Sequence, residues 1–194
     1  ANQIGEKGWI KVSVNREKTD GFSATNENNS YFDPDDDGSD HTDLLLELGA
    51  KPTEELSFKW NTNYTEGDIE FDDGEQEQKL LSSSIVGTYK TDSLSSELIL
   101  ATSRDQSSYM GSSDNYETNR VSVAWKNSYQ VNSELLMLGG VDWVNDDVSE
   151  STTKYTETSR SNLGVYTSGL YSKDKVQAEM SLRVDDNEQY GDYT

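Results

Sequence analysis

Apolar and polar residues alternate with a period of two along most of this 194-residue chain. In the stretch ELSFKWNTNY, the apolar residues Leu56, Phe58 and Trp60 fall on one side of an extended chain, and the intervening polar residues fall on the other. The stretch DKVQAEMSLRVDD repeats the pattern, with apolar residues at alternate positions from 176 to 184. This is the period of a β-strand with one wet face. We therefore predict an all-β fold.

Strict or looser alternation recurs along the chain, and no segment is typical of a helix. The predicted strands lie near residues 8–17, 41–50, 55–64, 79–91, 94–104, 118–130, 133–145, 160–173 and 174–186. Short links join some of them, and long polar excursions lie at 19–40, 65–78, 105–117 and 146–159. We predict an antiparallel up-and-down meander of about nine strands. The pattern alone fits either an outer-membrane barrel or a soluble sandwich or barrel.

The composition bears on that choice. Only 31% of the residues are hydrophobic, and the mean hydropathy is -0.87. A chain this polar is a candidate for disorder, but four Trp, eleven Tyr and only two Pro argue against it. In a transmembrane barrel the apolar face meets lipid and the polar face lines a watery lumen, so a low hydrophobic fraction is expected.

Charge and residue types exclude several functions. The chain has 37 acidic and 16 basic residues, so we predict no nucleic-acid partner, because phosphate binding needs cationic groups. A divalent metal or a cationic ligand is the better electrostatic match. Cys is absent, and the single His, His41, has no Cys or second His to share a metal with. No motif for a nucleophile or for phosphate binding occurs, and we predict that the protein is not an enzyme.

The segment DPDDDG at 33–38 begins as an EF-hand loop does, with alternate carboxylates and a glycine. The match then fails, because Leu44 stands where the bidentate carboxylate is required and no helix flanks the loop. Two interpretations remain open for the acidic loops. They form either a solvated, charged surface or a site ordered by calcium.

Three segments of the carboxy-terminal third resemble consecutive barrel strands of the TonB-dependent outer-membrane transporters. They are GGVDW at 139–143, RSNLGVYTSGL at 160–170 and RVDDNEQYGDYT at 183–194. Their order and spacing agree with those of the family. The resemblance extends more loosely over essentially the whole chain, and it is nearest to the family members that transport cobalamin.

The resemblance implies that residues 1–194 form part of a 22-stranded transmembrane β-barrel of the bacterial outer membrane, without its plug domain and terminal strands. It implies a role as barrel wall and extracellular loops in the import of cobalamin or a related corrinoid or chelate. The implied partners are outer-membrane lipid and the TonB energy-coupling protein, which acts through the plug. The alternative is a soluble, secreted or surface β-rich module for binding or adhesion, stabilised by calcium.

The resemblance also implies a calcium site shared by two loops. The predicted metal ligands are Asp35, Asp37, Asp72, Asp73 and Glu75. Two residues depart from the family pattern: Ser23 stands where an aspartate is expected, and Phe71 stands where a tyrosine is expected. We therefore expect fewer calcium sites than the full set.

The aromatic residues have two candidate roles. Tyr31 and Tyr109, in long loops, are candidates for substrate contact, although the substrate-binding residues are not fixed by the sequence. The candidates for girdles at the membrane interfaces are Trp60, Trp125, Trp143, Tyr89 and Tyr171. A segment cut from a barrel has two raw strand edges, through which we expect the isolated chain to dimerise or to close on itself.

Overall fold

The computed structural model describes residues 2–3, 7–23, 26–30, 32, 34–71 and 74–193. These residues form eleven strands in one antiparallel sheet, in which each strand pairs with the next along the chain. The strands are β1 (Asn2–Gln3), β2 (Gly8–Thr19), β3 (Ser39–Ala50), β4 (Leu56–Phe71), β5 (Gly74–Lys90), β6 (Leu94–Tyr109), β7 (Asn115–Gln130), β8 (Leu135–Asp147), β9 (Ser159–Lys173), β10 (Val176–Asn187) and β11 (Gly191–Tyr193). Nine of these strands are long, so the predicted meander is confirmed. The described residues include no helix that could span a bilayer.

The connections differ in length at the two ends of the sheet. At one end the predicted short links are confirmed, at 51–55, 91–93, 131–134 and 174–175. At the other end, the connections are long between β2 and β3 (20–38) and between β8 and β9 (148–158). The predicted long loops at 65–78 and 105–117 are wrong, because most of these residues continue the strands of two hairpins. We call the end with the long loops the mouth.

The cross-strand register sorts the side chains onto two faces. One row joins apolar residues across seven strands: Phe58, Gly87, Leu98, Trp125, Val141, Val165 and Val184. A neighbouring row on the opposite side is mostly polar: Asn61, Ser84, Ala101, Ser122, Val144 and Asn162. Because a strand side chain alternates between faces, each row fixes the side of its neighbours. The sheet therefore has one apolar face and one polar face.

The sheet has no hydrophobic core. Within the described residues no hydrophobic side chain is buried, and the accessible surface is 13430 Å². A compact monomer of this mass exposes only about 9,200 Å². Leu98 and Trp125, at the middle of the apolar row, are 45% and 51% exposed. A single sheet this exposed needs another apolar layer or an apolar medium against its apolar face.

On the polar face, one guanidinium extends across three strands and joins the outer two. Arg183 of β10 extends over Gly164 of β9 to Asp142 of β8, where Nη1 and Nη2 each donate a hydrogen bond of 2.9 Å. The same guanidinium donates to both carboxylate oxygens of Asp185 at 2.7 Å. A Cβ atom at Gly164 would lie 2.0 Å from Nη2 of Arg183. The bidentate contact with Asp142 therefore requires a residue without a side chain on β9.

We expect Gly164→Ala to push the Arg183 guanidinium off the sheet and to destabilise the fold by about 1–3 kcal/mol. Gly169→Ala is the matched control on the same strand, because its Cβ would meet only the flexible Met137 Sδ, at 3.4 Å. The measurement is the midpoint of thermal loss of the β-sheet circular dichroism signal. An equal shift for both variants would contradict the proposed role of Gly164.

Candidate functional site

The two faces exchange their character toward the mouth. On the side that is apolar lower down, β4 to β7 carry Glu66, Lys79, Arg104 and Glu117. On the side that is polar lower down, the same strands carry Ile69, Phe71, Leu80, Tyr109 and Tyr116. The strands themselves continue without a change of register. The two faces therefore exchange character because the residue types change along the strands, not because the backbone is interrupted.

Both cations on the charged side of these strands, Lys79 and Arg104, form ion pairs. Lys79 Nζ lies 3.2 Å from Glu66 Oε1 and 2.8 Å from Glu77 Oε1. Arg104 Nη2 lies 2.7 Å from Glu117 Oε2, and Glu117 is only 4% exposed. Burial by itself raises the pKa of Glu117, but hydrogen bonds from Arg104 and Asn119 outweigh it and hold that pKa below its usual value.

The loop at 148–158 covers Glu117. The backbone N–H of Glu117 donates to Ser151 Oγ at 2.8 Å, and that hydroxyl donates to the carbonyl of Glu117 at 3.0 Å. The N–H of Thr152 donates to the carbonyl of Asn115 at 2.8 Å. The loop thus extends the sheet beside the start of β7 and shields the Glu117 carboxylate, whereas its partner Arg104 stays 53% exposed.

The opposite side of the mouth presents aromatic rings. The ring centroids of Phe71 and Tyr109 are 5.9 Å apart, those of Tyr109 and Tyr116 are 6.2 Å apart, and both pairs meet edge to face. Ile69 and Leu80 lie on the same side and are 39% and 44% exposed. We call these five residues the aromatic patch.

A cavity of about 450 Å³ adjoins the aromatic patch. Its lining includes Ile69 and Leu80 together with the polar side chains of His41, Gln78 and Asp105. A Cβ at position 67 would lie 2.4 Å from the Cβ of His41, so the glycine of β4 leaves room for the imidazole. The cavity therefore combines apolar surface with a few polar groups, as ligand sites commonly do.

A second cavity, of about 380 Å³, lies between the loop at 20–38 and the ends of β3 to β5. Its lining carries six carboxylates and one ammonium group: Asp20, Asp36, Asp40, Asp68, Glu70, Glu75 and Lys18. Gly38 ties the loop to β4, because its N–H donates to Glu70 Oε2 at 3.2 Å and its carbonyl accepts from the N–H of Glu70 at 2.9 Å. A hydrogen bond from Arg16 holds the pKa of Asp40 below its usual value.

The predicted metal ligands are placed only in part. Glu75 lines the acidic cavity, and Asp36 does so from the loop in which Asp35 and Asp37 were the predicted ligands. Asp72 and Asp73 lie outside the described residues, as does Tyr31. In the ranges that the structure covers, no three Asp, Glu or His side chains stand close enough together to hold one metal ion. The calcium site stays a prediction.

The sequence-based interpretation missed most of the aromatic patch, naming only Tyr109 as a candidate for substrate contact. The sequence did contain a signal for the other members of the patch, in the even or odd positions that the apolar residues of β4 occupy. Leu56, Phe58 and Trp60 occupy even positions of β4, whereas Ile69 and Phe71 occupy odd ones. A change of parity within one uninterrupted strand means that the apolar residues move to the other face. Recognising this requires knowing that residues 65–71 are strand.

A further charged cluster lies on the polar face just below the mouth. Asp146 of β8 accepts hydrogen bonds from Arg120 of β7 at 2.5 and 3.0 Å and from Arg160 of β9 at 3.1 Å. These bonds hold the pKa of Asp146 below its usual value. The cluster links three neighbouring strands.

Comparison with known proteins gives relatives along nearly the whole chain. The chain is 32% identical over 200 residues to the vitamin B12 transporter BtuB of Photobacterium profundum, a match that covers 98% of this chain and 32% of the relative. It is 29% identical over 206 residues to the vitamin B12 transporter BtuB of Vibrio cholerae, covering 98% of this chain and 33% of the relative. The chain thus spans about a third of the length of these relatives. No family model matches the chain.

Solved structures with a similar fold are larger receptors. The siderophore receptor PirA from Pseudomonas aeruginosa superposes with a TM-score of 0.81 at 11% identity, over 98% of this chain and 33% of the receptor. The ferric enterobactin receptor PfeA from the same organism gives a TM-score of 0.80 at 11% identity, over 98% of this chain and 36% of the receptor. At this identity the likeness shows the fold alone.

The predicted resemblance to TonB-dependent outer-membrane transporters, including those for cobalamin, is confirmed by these similarities. The predicted fold class, an all-β meander that is a segment of a transmembrane barrel, is also confirmed. The relatives are transporters and receptors, in agreement with the prediction that the chain is not an enzyme. They do not support the alternative of a soluble adhesion module.

Proposed function

We propose that this segment of an outer-membrane β-barrel forms part of the wall and extracellular loops of an importer for cobalamin or a related corrinoid or chelate. In the whole importer, transport is powered by TonB through a plug domain. The similarity to vitamin B12 transporters supports the substrate class. The observation that carries the membrane setting is the placement of charge on the two faces of the sheet.

Seven consecutive strands each contain nine residues whose five apolar-face positions are all uncharged. These runs are 56–64, 81–89, 94–102, 121–129, 135–143, 163–171 and 176–184. At the mouth, the next position on this face is Glu66, Lys79, Arg104 or Asp186 on four of the strands. A transmembrane β-strand needs about 9–11 residues to cross the hydrocarbon layer. The apolar face is therefore uncharged over the length that a bilayer requires.

The runs also step along the sheet as tilted strands require. The runs of β4 and β5 are level with each other, since Leu56 faces Tyr89. Tyr89 in turn faces Ser96 of β6, but the run of β6 begins two residues before Ser96, at Leu94. The same two-residue step recurs between β7 and β8 and between β9 and β10. A step of two residues is about 6.6 Å along the strands, and two strand spacings are about 9.6 Å across them. Together they correspond to a strand tilt of about 35°.

This tilt falls in the range of about 35–45° found in outer-membrane barrels. Nine residues inclined at about 35° span about 24 Å along the membrane normal, close to the apolar band of about 25 Å in such barrels. The tilt combines the register of the strands with the positions of the uncharged runs. It agrees with the dimensions of a bilayer.

Two indole N–H groups on the apolar face are satisfied within the sheet. The indole N–H groups of Trp60 and Trp125 donate to Ser83 Oγ and Ser96 Oγ, each at 2.9 Å. Such pairing is what a hydrocarbon environment demands, since it offers no water as acceptor. These two tryptophans lie at the centres of their runs, whereas Tyr89 and Tyr171 lie near the ends that adjoin short turns and Trp143 lies at the mouth end of its run. The aromatic girdles stay a prediction.

The full-length protein is reconstituted in vesicles, and the part of its tryptophan fluorescence that brominated lipid quenches is measured. Trp125→Phe is expected to make this quenched part smaller. Trp125 lies on the lipid face, so its indole is within reach of bromine on the acyl chains. Trp9→Phe is the control, because Trp9 packs across Gly49 on the polar face. If both substitutions removed the same lipid-quenched fraction, the assignment of the two faces would be wrong.

The importer function is tested with the full-length protein in a Gram-negative host that lacks its own vitamin B12 transporter. We expect expression to restore uptake of radiolabelled vitamin B12, and uptake to cease when TonB is deleted. Restored uptake that persists without TonB would contradict energy coupling through a plug. Surface binding without uptake would favour a binding protein over an importer.

We also propose that calcium joins the acidic loop at 20–38 to the acidic segment at 72–75, through the predicted ligands Asp35, Asp37, Asp72, Asp73 and Glu75. The six carboxylates around the second cavity support this, because a hard divalent cation would relieve their mutual repulsion and accept oxygen ligands. Dimerisation of the isolated segment through its strand edges stays a prediction. In its favour, β11 faces only three residues of β10.

Removal of calcium is expected to speed cleavage of the full-length protein after Glu27, the only glutamate in the loop at 20–38, by a glutamate-specific protease. The double variant Asp35→Asn, Asp37→Asn should raise the calcium concentration needed for half-maximal protection from the protease at least tenfold, because two anionic ligands are lost. Asp114→Asn, in another acidic connection at the mouth, is the control. Protection that is unchanged in the double variant would remove these residues from the site.

A further inference from the structure

One amide side chain on the apolar face has no partner in the sheet. Asn127 is the only asparagine or glutamine among the apolar-face positions of the seven uncharged runs. Two hydroxyls near it do form hydrogen bonds, since Ser96 accepts from the Trp125 indole and Thr167 donates to a backbone carbonyl at 3.1 Å. The Asn127 side chain makes no hydrogen bond with any residue that the structure describes. An amide left unpaired in hydrocarbon is costly, so this arrangement calls for a partner from outside the sheet.

The depth of Asn127 indicates what that partner is. Asn127 lies two residues inside Tyr129, where the run of β7 ends beside a short turn. In the proposed barrel, two residues inclined at about 35° reach about 5 Å along the membrane normal. The amide is therefore within reach of the ester groups that join phospholipid head groups to acyl chains at the edge of the hydrocarbon layer. An ester carbonyl can accept a hydrogen bond from an amide N–H.

A shallow hollow adjoins this amide on the apolar face. Gly139 of β8 lies opposite the amide, and Thr167 and Gly169 of β9 lie beside it; we call these three residues the hollow. Among the described residues, a Cβ at Gly139 would meet only the carbonyl oxygen of Tyr166, at 3.5 Å, and one at Gly169 only Met137 Sδ, at 3.4 Å. The space above both glycines is therefore open. A single acyl chain can bury methylene groups there.

Charged groups of both signs lie beyond the short-turn end of the hollow. Lys173 follows the run of β9 on the apolar side, and its Nζ lies 2.8 Å from Glu134 Oε1. Both side chains stay accessible, at 53% and 37% exposed. Asp174 and Lys175 form the exposed turn to β10, and Lys175 makes no ion pair with a described residue. Two ammonium groups and two carboxylates complement a head group that carries both a phosphate and an ammonium group.

We propose that Asn127, the hollow and these four charged residues hold one phospholipid, whose zwitterionic head group carries a primary ammonium ion. Asn127 donates to an ester carbonyl, and one acyl chain lies in the hollow. The two lysines bind the phosphate, and the carboxylates of Glu134 and Asp174 accept hydrogen bonds from the ammonium group. The inference rests on the proposed membrane setting and goes beyond it by assigning a site to an individual lipid.

A single lipid fits this site better than a second copy of the chain does. Tyr129 of β7 and Tyr171 of β9 end their runs on either side of the hollow, and they are 49% and 37% exposed. Their strands are two strand spacings, about 9.6 Å, apart, which admits one chain of methylene groups between the rings. The same two rings hold a second flat sheet away from the Asn127 amide, because a protein interface needs closely matching surfaces.

The test uses the full-length protein in detergent and measures the binding of added phosphatidylethanolamine by native mass spectrometry. Asn127→Leu, which keeps the size of the side chain, is expected to raise the dissociation constant of the first bound lipid at least about threefold, because a hydrogen bond is lost. Lys175→Gln should raise it by a similar factor, because a charged partner of the phosphate is lost. Thr102→Val, which removes a polar group at the mouth end of the same face, is the matched control and should leave the constant unchanged.

A second probe, phosphatidylglycerol, has no ammonium group and is expected to bind at least about threefold more weakly than phosphatidylethanolamine. Tighter binding of phosphatidylglycerol would overturn the head-group class. Equal binding of phosphatidylethanolamine by the unaltered protein, Asn127→Leu and Lys175→Gln would overturn the site, and a dimer that Asn127→Leu dissociates would replace the lipid with a second copy. Gel mobility before heating shows that each variant is folded, and vitamin B12 uptake by the same variants tests the proposed importer function separately.

Discussion

A single sheet with two exposed faces must find a suitable medium for each of them, and this constraint governs the whole structure. No hydrophobic side chain is buried within the described residues, so packing inside the chain does not stabilise the apolar face. In the proposed barrel, hydrocarbon on that face supplies the free energy of apolar burial, while hydrogen bonds between strands satisfy the polar groups of the backbone. The polar face is then free to carry ion pairs over water.

The same constraint explains why the charges lie where they do. The ion pairs of the polar face join strands across the sheet. Arg183 extends from β10 over β9 to β8, and Asp146 of β8 binds arginines of β7 and β9. On the apolar face, charge begins only beyond the uncharged runs, at Lys79 and Arg104. In the proposed barrel, water surrounds the outside of the sheet above that level, so the charged and apolar sides exchange places. The aromatic patch is the consequence of that exchange.

The strands and their order follow from local pattern. Alternation in ELSFKWNTNY and DKVQAEMSLRVDD predicts the strands that the structure has, because a strand's two faces are written directly into consecutive residues. The ends of the hairpins β4–β5 and β6–β7 could not be predicted this way. Acidic residues at 66–77 resemble a loop in composition, and only the cross-strand pairs, such as Glu66 with Lys79, show that hydrogen bonding continues.

By itself, therefore, the sequence determined the strand-rich character, the short turns, the uncharged runs and the acidity of the long-loop segments. The tertiary structure alone decided which residues meet across strands. Register brings Phe71, Tyr109 and Tyr116 together from three strands, places Gly164 beneath the Arg183 guanidinium, and sets Glu75 with Asp36 at one cavity. The physical reason is that strand pairing joins residues far apart in the chain, and no local pattern records which partner each will face.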